Sequence, residues 1–334
     1  MATLIRKVGR MTTNNTITAV EGIKVGHAHD LDALTGVTVV LCESGAVGGV
    51  DMRGTATGTR EINPLDPLHL VERLHGVCLA GGSAFGLSAA GGVMEWLEER
   101  GVGFPVGPTV VPIVPSAILF DLKVGDHRVR PDAAMGRRAA EAANEEPVSE
   151  GCVGAGTGAT VGKMLGAAGA MKSGIGSAAI TTPDGLVVGA LAAVNAFGDI
   201  IDPETTRIIA GCRANSGGFV DTAKIISGPI PDRGFSPENT TLVVVVTNAT
   251  LSKTEAKKTA QMAQVGMART INPCHSTVDG DIVFTLATCK HSEPVPLNRL
   301  GVIAADLTAQ AIVRAVKSAE PMGGLPAWKS LDKV

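Results

Sequence analysis

The stretch ENTTLVVVVTNATLSK, Glu238 to Lys253, joins a polar turn directly onto one of the most apolar runs in the chain. Leu242–Thr247 reads as a buried β-strand, entered through two threonines that follow an asparagine. Immediately behind it, SKTEAKKTAQMAQVGMARTI opens a helix with Ser252 as N-cap and Glu255 three residues on, the spacing of a capping box. Working outward, strands are expected at 174–181 and 186–195, the second apolar enough to lie between two layers. DIVFTLAT (281–288) is another strand, and Val302–Ala319 a closing amphipathic helix. Toward the N-terminus, TITAVEGIKVGHA and TGVTVVLCE are short β patterns, followed by a Gly/Thr-rich loop through RGTATGTRE. A helix is predicted over Pro67–Leu74. GVCLAGGSAFGLSAAGGVMEWLEERG then reads as strand, glycine turn and helix stopped by Gly101, VVPIVPSAILFDL is extended, and Asp132–Asn144 is helical. Hairpin-like strands mixed with paired helices point to a layered α+β sandwich rather than a doubly wound sheet.

The 334 residues are 45% hydrophobic and 18% charged, enough for one large core, and we read residues 1–334 as a single catalytic domain. Glycine is unusually frequent at 42 residues, whereas aromatics make up 3% and tyrosine is absent, so close backbone approach takes the place of large side chains. A net charge of −3 without a basic stripe argues against a nucleic-acid partner. No run is long and apolar enough for a membrane span, and the N-terminus lacks the apolar core and cleavage site of a signal peptide, which makes a cytoplasmic location the default. Met11 offers a second possible start. Six cysteines show no CxxC pair or metal-ligand spacing, so most are read as buried thiols, and neither metal nor other cofactor is expected.

One glycine-rich segment invites a nucleotide-loop reading and fails two tests. In GAGTGATVGKM the Walker pattern requires Gly where Thr157 stands and Ser/Thr where Met164 stands, and the dinucleotide pattern requires a third glycine at Ala159. Lys163, among small and apolar residues, is either a cleft lysine or a snorkelling surface one.

A threonine hydroxyl is a weak nucleophile unless a base stands beside it, and an N-terminal threonine carries its own base in its α-amine, whose ordinary pKa of about 7.7–8.0 is close to working pH. An internal threonine reaches that state when its hydroxyl attacks the preceding carbonyl and the resulting ester is hydrolysed. Thr240, between a Pro/Asn turn and a rigid strand, has the required layout, and Ile226–Asn239 is the candidate strainable connection. By itself the dipeptide is equally an ordinary strand entry, since Asn15-Thr16 also precedes a β pattern.

The ordered blocks GIKVGHAHD, RGTATGTRE, LAGGSAFGLSAAGGVMEWLEERG, VPIVPSAILFDL, GAGTGATVGK, AAVNAFGD, NTTLVVVVTNATLSK and HSTVDGDIVFTLAT cover nearly the whole chain. Together they resemble the DmpA-like aminopeptidases, peptidase family S58, which include L-aminopeptidase/D-esterases, β-peptidyl aminopeptidases and nylon-oligomer hydrolases. The resemblance implies a four-layer αββα sandwich of the DmpA/ornithine-acetyltransferase type, akin to Ntn hydrolases. It also implies self-cleavage between Asn239 and Thr240 into chains 1–239 and 240–334, and a homo-oligomer of cleaved units, a homotetramer in relatives. The partner it implies is a small peptide or amide substrate.

On the same resemblance, Asp281 is the first-choice carboxylate beside the nucleophile and Asp279 the second, although VDGD alone is an ordinary turn signal. Asn195 matches an amide donor near the oxyanion, and Lys163 the cleft lysine. Gly81, Gly82, Ser83 and Phe85 are assigned to the pocket wall, with tight strand–helix packing as the alternative for the glycines. Phe120 stands where some relatives carry a tyrosine hydroxyl, so any bond from that hydroxyl must be absent or replaced. Cys274-His275 is set aside as a catalytic pair, because neighbours on a strand face opposite sides, and His275 is read as a loop or core residue. The expected function is an autoprocessed N-terminal-threonine aminopeptidase or amidohydrolase acting through an acyl-Thr240. The rivals are an acyltransferase of the ornithine-acetyltransferase kind and an uncut scaffold protein.

Overall fold

The computed structural model describes residues 14–229 and 239–331. Most of the connection at 226–239 and both candidate start methionines therefore lie outside the described residues. The main sheet runs in the order Ile175–Thr181, Val187–Asn195, Thr240–Thr247, Ile282–Ala287, Thr35–Met52, Arg73–Ala80, Ser116–Ile118, Thr59–Arg60, with Lys24–Asp30 also on the Thr35–Met52 strand. Neighbours are antiparallel except for the pairs Thr240–Thr247 with Ile282–Ala287 and Arg73–Ala80 with Ser116–Ile118.

One hydrogen-bonded path becomes two layers because the 18-residue Thr35–Met52 strand changes register between Leu41 and Ala46, where Gly45 takes a φ of 78° that other residues avoid. Its first half pairs with Lys24–Asp30, its second half with Ile282–Ala287. The period-two alternation of side chains then sorts the core. Leu242, Val244, Val246, Ile282, Phe284, Val40 and Val77 fill the space between the two sheet halves. Val243, Val245 and Val283 face the outer helices Lys253–Thr270 and Leu297–Ser318. Val37, Val39, Cys78 and Ala80 face helices Ala89–Glu98 and Ala133–Glu141 on the other side. The result is the expected αββα order.

Local signals hold where they were specific. Ser252 and Glu255 form the capping box; the helix expected over Asp132–Asn144 spans Ala133–Glu141, and Asp132 proves to be its N-cap, accepting from Met135 N. The predicted helix at Pro67–Leu74 does not form. The strand-forming run from Arg73 onward joins the sheet, and the six residues left before it are too few for a stable helix, so they make turns with Leu68 and Leu70 exposed. Three cysteines (Cys42, Cys78, Cys212) are buried and three (Cys152, Cys274, Cys289) are partly exposed, all as free thiols. Among the described residues no helix is long and apolar enough to cross a membrane.

Candidate active site

Thr240 opens its strand at the centre of the sheet, in register with Asn195 on the antiparallel neighbour. Asn239 and Thr240 are both buried. Asn239 meets Asp279 in a single parallel bridge, and the Gly280 N–H donates to the Asn239 carbonyl at 2.8 Å. The Thr240 hydroxyl donates to the same carbonyl oxygen at 2.5 Å. A hydroxyl is thus held against the carbonyl of its own preceding peptide bond while a backbone N–H polarises that carbonyl, the type of donor that stabilises a developing oxyanion. Position 280 has room for glycine alone. A Cβ there would stand 2.8 Å from Thr240 Oγ1 and 2.7 Å from the Ala56 carbonyl oxygen.

Both candidate carboxylates lie in this turn and are buried. Asp281 accepts from Thr241 N at 2.8 Å through Oδ1, and from His275 N and Nδ1, each at 3.0 Å, through Oδ2. Asp279 accepts from the Ser276 hydroxyl, from Ser276 N at 3.2 Å and from Phe197 N at 3.3 Å. Burial first, and then the charge of Asp281, push the Asp279 carboxyl up to about 6, against the pull of its Ser276 and Phe197 donors. Burial works the other way on His275, but its bonds to Asp281 and Cys274 and their charges outweigh it and raise the imidazole to about 10. The RGTAT loop underlies this turn, with Ala56 N donating to Asp279 O at 2.9 Å and Thr55 Oγ1 to Thr277 O at 2.7 Å.

Across the sheet, Asn195 Oδ1 accepts from Lys163 Nζ at 2.8 Å and Thr160 N at 3.0 Å, while its Nδ2 donates to the Phe120 carbonyl at 2.9 Å. Lys163 also donates to the Asn195 carbonyl at 3.0 Å. Its half-buried ammonium therefore belongs to the Asn195 cluster and is no snorkelling surface lysine. Phe120 takes part through its main chain, with Asn195 as donor. The Gly81–Gly82 turn is linked to this cluster through Asp121, which accepts from Gly82 N and Thr35 Oγ1, both at 2.7 Å. The Gly81 amide is engaged by the Gly36 carbonyl. These bonds favour the tight-packing reading of both glycines. Ser83 follows in the left-handed region, and Phe85 stands 58% exposed beneath the Arg130 guanidinium, 3.9 Å from its ring centroid.

Sequence reasoning missed several residues that the fold brings here. The reading of His275 as a loop residue holds, in a turn at φ 54°, but it missed the bond from the ring to Asp281. Ser276 and Gly280 lay within the quoted HSTVDGD block without a stated role. The buried Lys172, which donates to the carbonyls of Thr157 and Ala159 at 2.8 Å each, showed no sequence signal beyond a lone lysine in apolar surroundings.

The family model for peptidase family S58 matches residues 15–328. The chain belongs to peptidase family S58. It is 41% identical over 349 residues to an uncharacterised aminopeptidase of Mycobacterium leprae, covering 94% of this chain and 93% of the relative. It is 30% identical over 320 residues to the 6-aminohexanoate-oligomer endohydrolase of Paenarthrobacter ureafaciens, covering 89% and 84%. Among solved structures, the L-aminopeptidase D-Ala-esterase/amidase of Ochrobactrum anthropi, described as a variant of the Ntn-hydrolase fold, superposes with a TM-score of 0.71 at 21% identity, over 94% of this chain and 88% of that one. A Burkholderia β-aminopeptidase gives a TM-score of 0.64 at 24% identity, over 92% and 87%. These structures share the fold, and the family makes this S58 chain a hydrolase of the peptidase and amidohydrolase kind.

Proposed function

We propose that this S58 chain is an autoprocessed N-terminal-threonine aminopeptidase or amidohydrolase that acts on short peptides or related amides. The observation that carries the reading is the Asn239 carbonyl, which accepts both the Thr240 hydroxyl and the Gly280 N–H. In self-cleavage Thr240 Oγ1 attacks the Asn239 carbonyl carbon, the C–N bond breaks, and the hydroxyl proton passes to the departing nitrogen of Thr240. Water then hydrolyses the ester, giving a carboxylate on Asn239 and a free amine and hydroxyl on Thr240. In turnover the same hydroxyl attacks the substrate carbonyl while the Thr240 amine takes its proton and delivers it to the leaving amine. Water releases the acyl group from Thr240. The Gly280 N–H, freed of the Asn239 carbonyl, is positioned to receive the substrate's oxyanion, and Lys163 adds positive charge on the Asn195 side.

The test is intact mass and N-terminal sequencing of the purified protein beside a Thr240→Ala variant. Two chains, the second beginning at Thr240 and absent from the variant, are the expected result. A single uncut chain after long incubation overturns the proposal. Assembly of the cleaved units into a homotetramer and a cytoplasmic location belong to the same proposal, the first checked by light scattering of the cleaved protein and the second by cell fractionation.

A further inference from the structure

The clamp between His275 and Asp281 plays no part in the steps just written, yet it binds one of the two carboxylates of the site. Asp281 is held by three N–H donors, two from His275 and one from Thr241. Asp279 is held by a hydroxyl and two longer N–H bonds, and it faces an anion. The titratable groups that act on the imidazole are Asp281 and the Cys274 thiol, and the one that acts on Asp279 is Asp281. From the strand end packed beneath the turn, the Arg53 guanidinium is directed to Asp51 at 2.6 Å.

We propose that His275 is a positioning residue that divides the labour of the carboxylates: as an imidazolium paired with Asp281 it holds that group as the anchor of Thr241 N–H, and leaves Asp279 as the member that exchanges a proton in the working range. The inference rests on the amidohydrolase reading of the same site. It reverses the order in which the sequence ranked the two aspartates as proton acceptors. The raised pKa values of His275 and Asp279 agree with this division. The charge of Asp281 raises Asp279, and a cation fixed on Asp281 offsets that charge. Removing the cation leaves Asp279 facing an uncompensated anion, so its titration moves upward.

The test uses the uncut Thr240→Ala protein, so that it does not depend on turnover. With ¹⁵N-histidine labelling, the His275 ring, assigned by its loss in His275→Asn, is expected to carry both protons at pH 7.5. With [4-¹³C]aspartate labelling, Asp279, assigned by Asp279→Asn, is expected to titrate near pH 6 and to move up by about one unit in His275→Asn. Asparagine suits this variant because it tolerates the left-handed backbone at position 275 and keeps an N–H close to the imidazole Nδ1 while removing the charge. A neutral His275 ring at pH 7.5, or an Asp279 titration unmoved by His275→Asn, overturns the proposal. Should the variant fail to fold, the protonation state of His275 in the Thr240→Ala protein still decides. In the cleaved enzyme the acid limb of the rate profile should shift the same way. A protein that neither self-cleaves nor hydrolyses amides would sink the functional reading while the two titrations still judge the clamp.

Discussion

At the scale of single residues, the site depends on a glycine that nothing in the sequence marked as chemical. Gly280 supplies the N–H on the Asn239 carbonyl, and its missing side chain lets the Thr240 hydroxyl and the Ala56 carbonyl close in. Gly280→Ala should therefore fold and process poorly. A methyl group 2.8 Å from Oγ1 must displace either the hydroxyl or the N–H, and losing one such donor or about 1 Å of alignment slows a reaction by roughly 10²-fold. The time course of chain cleavage on a denaturing gel measures this, and wild-type kinetics would remove Gly280 from the chemistry. Thr240, Asn195 and Lys163 each also had an ordinary local reading and were singled out by the resemblance; the fold places Asn195 opposite Thr240 and Lys163 on Asn195. Gly280 was not singled out, because a glycine between two aspartates also reads as a plain turn and only the three-dimensional register shows what its N–H meets.

At the scale of elements, the glycine-rich segment 154–163 keeps its shape through a charge buried beneath it. Lys172 is fully buried and donates to the carbonyls of Thr157, Ala159 and Ser173. Burial lowers its ammonium to about 8, partly opposed by the charges of Cys152 and Asp121. The same segment carries Thr160 and Lys163 to Asn195, so the loop that failed as a phosphate cradle serves as a support for the amide. Lys172→Met keeps the length of the side chain but strands the buried carbonyls, and is expected to destabilise the protein by about 3 kcal/mol. Urea unfolding of the Thr240→Ala protein with and without this change reads the difference, and equal midpoints would show that the carbonyls find other donors. The helix read most specifically from sequence was the one with a local mechanism, the Ser252–Glu255 box. The helix expected at Pro67–Leu74 failed because strand pairing from Arg73 onward is a long-range event that no local window contains.

At the scale of the whole molecule, the scarcity of aromatics and the wealth of glycine describe how the four layers approach one another. Gly176, on the strand at the sheet's edge, lies against the backbone of Ala311 and Ala315 in helix Leu297–Ser318, and Gly136 lies against Ala89, so the two outer helices Ala89–Glu98 and Ala133–Glu141 touch backbone to backbone. A Cβ at either place would fall inside van der Waals contact with main-chain atoms, which cannot rotate away as a side chain can. Gly176→Ala and Gly136→Ala are each expected to destabilise by about 1–3 kcal/mol through overpacking. The two glycines belong to opposite outer faces with separate cores, so the double variant should lose the sum of the single losses to within about 0.5 kcal/mol. Reading residues 1–334 as one domain adds that the uncut Thr240→Ala background should unfold in a single transition, followed by circular dichroism against denaturant. Two separated transitions would show that the sheet halves melt independently on either side of the bend at Gly45. A sum that fails by more than that margin would show that the αββα stack yields as one body, each outer layer shifting when the other is forced apart.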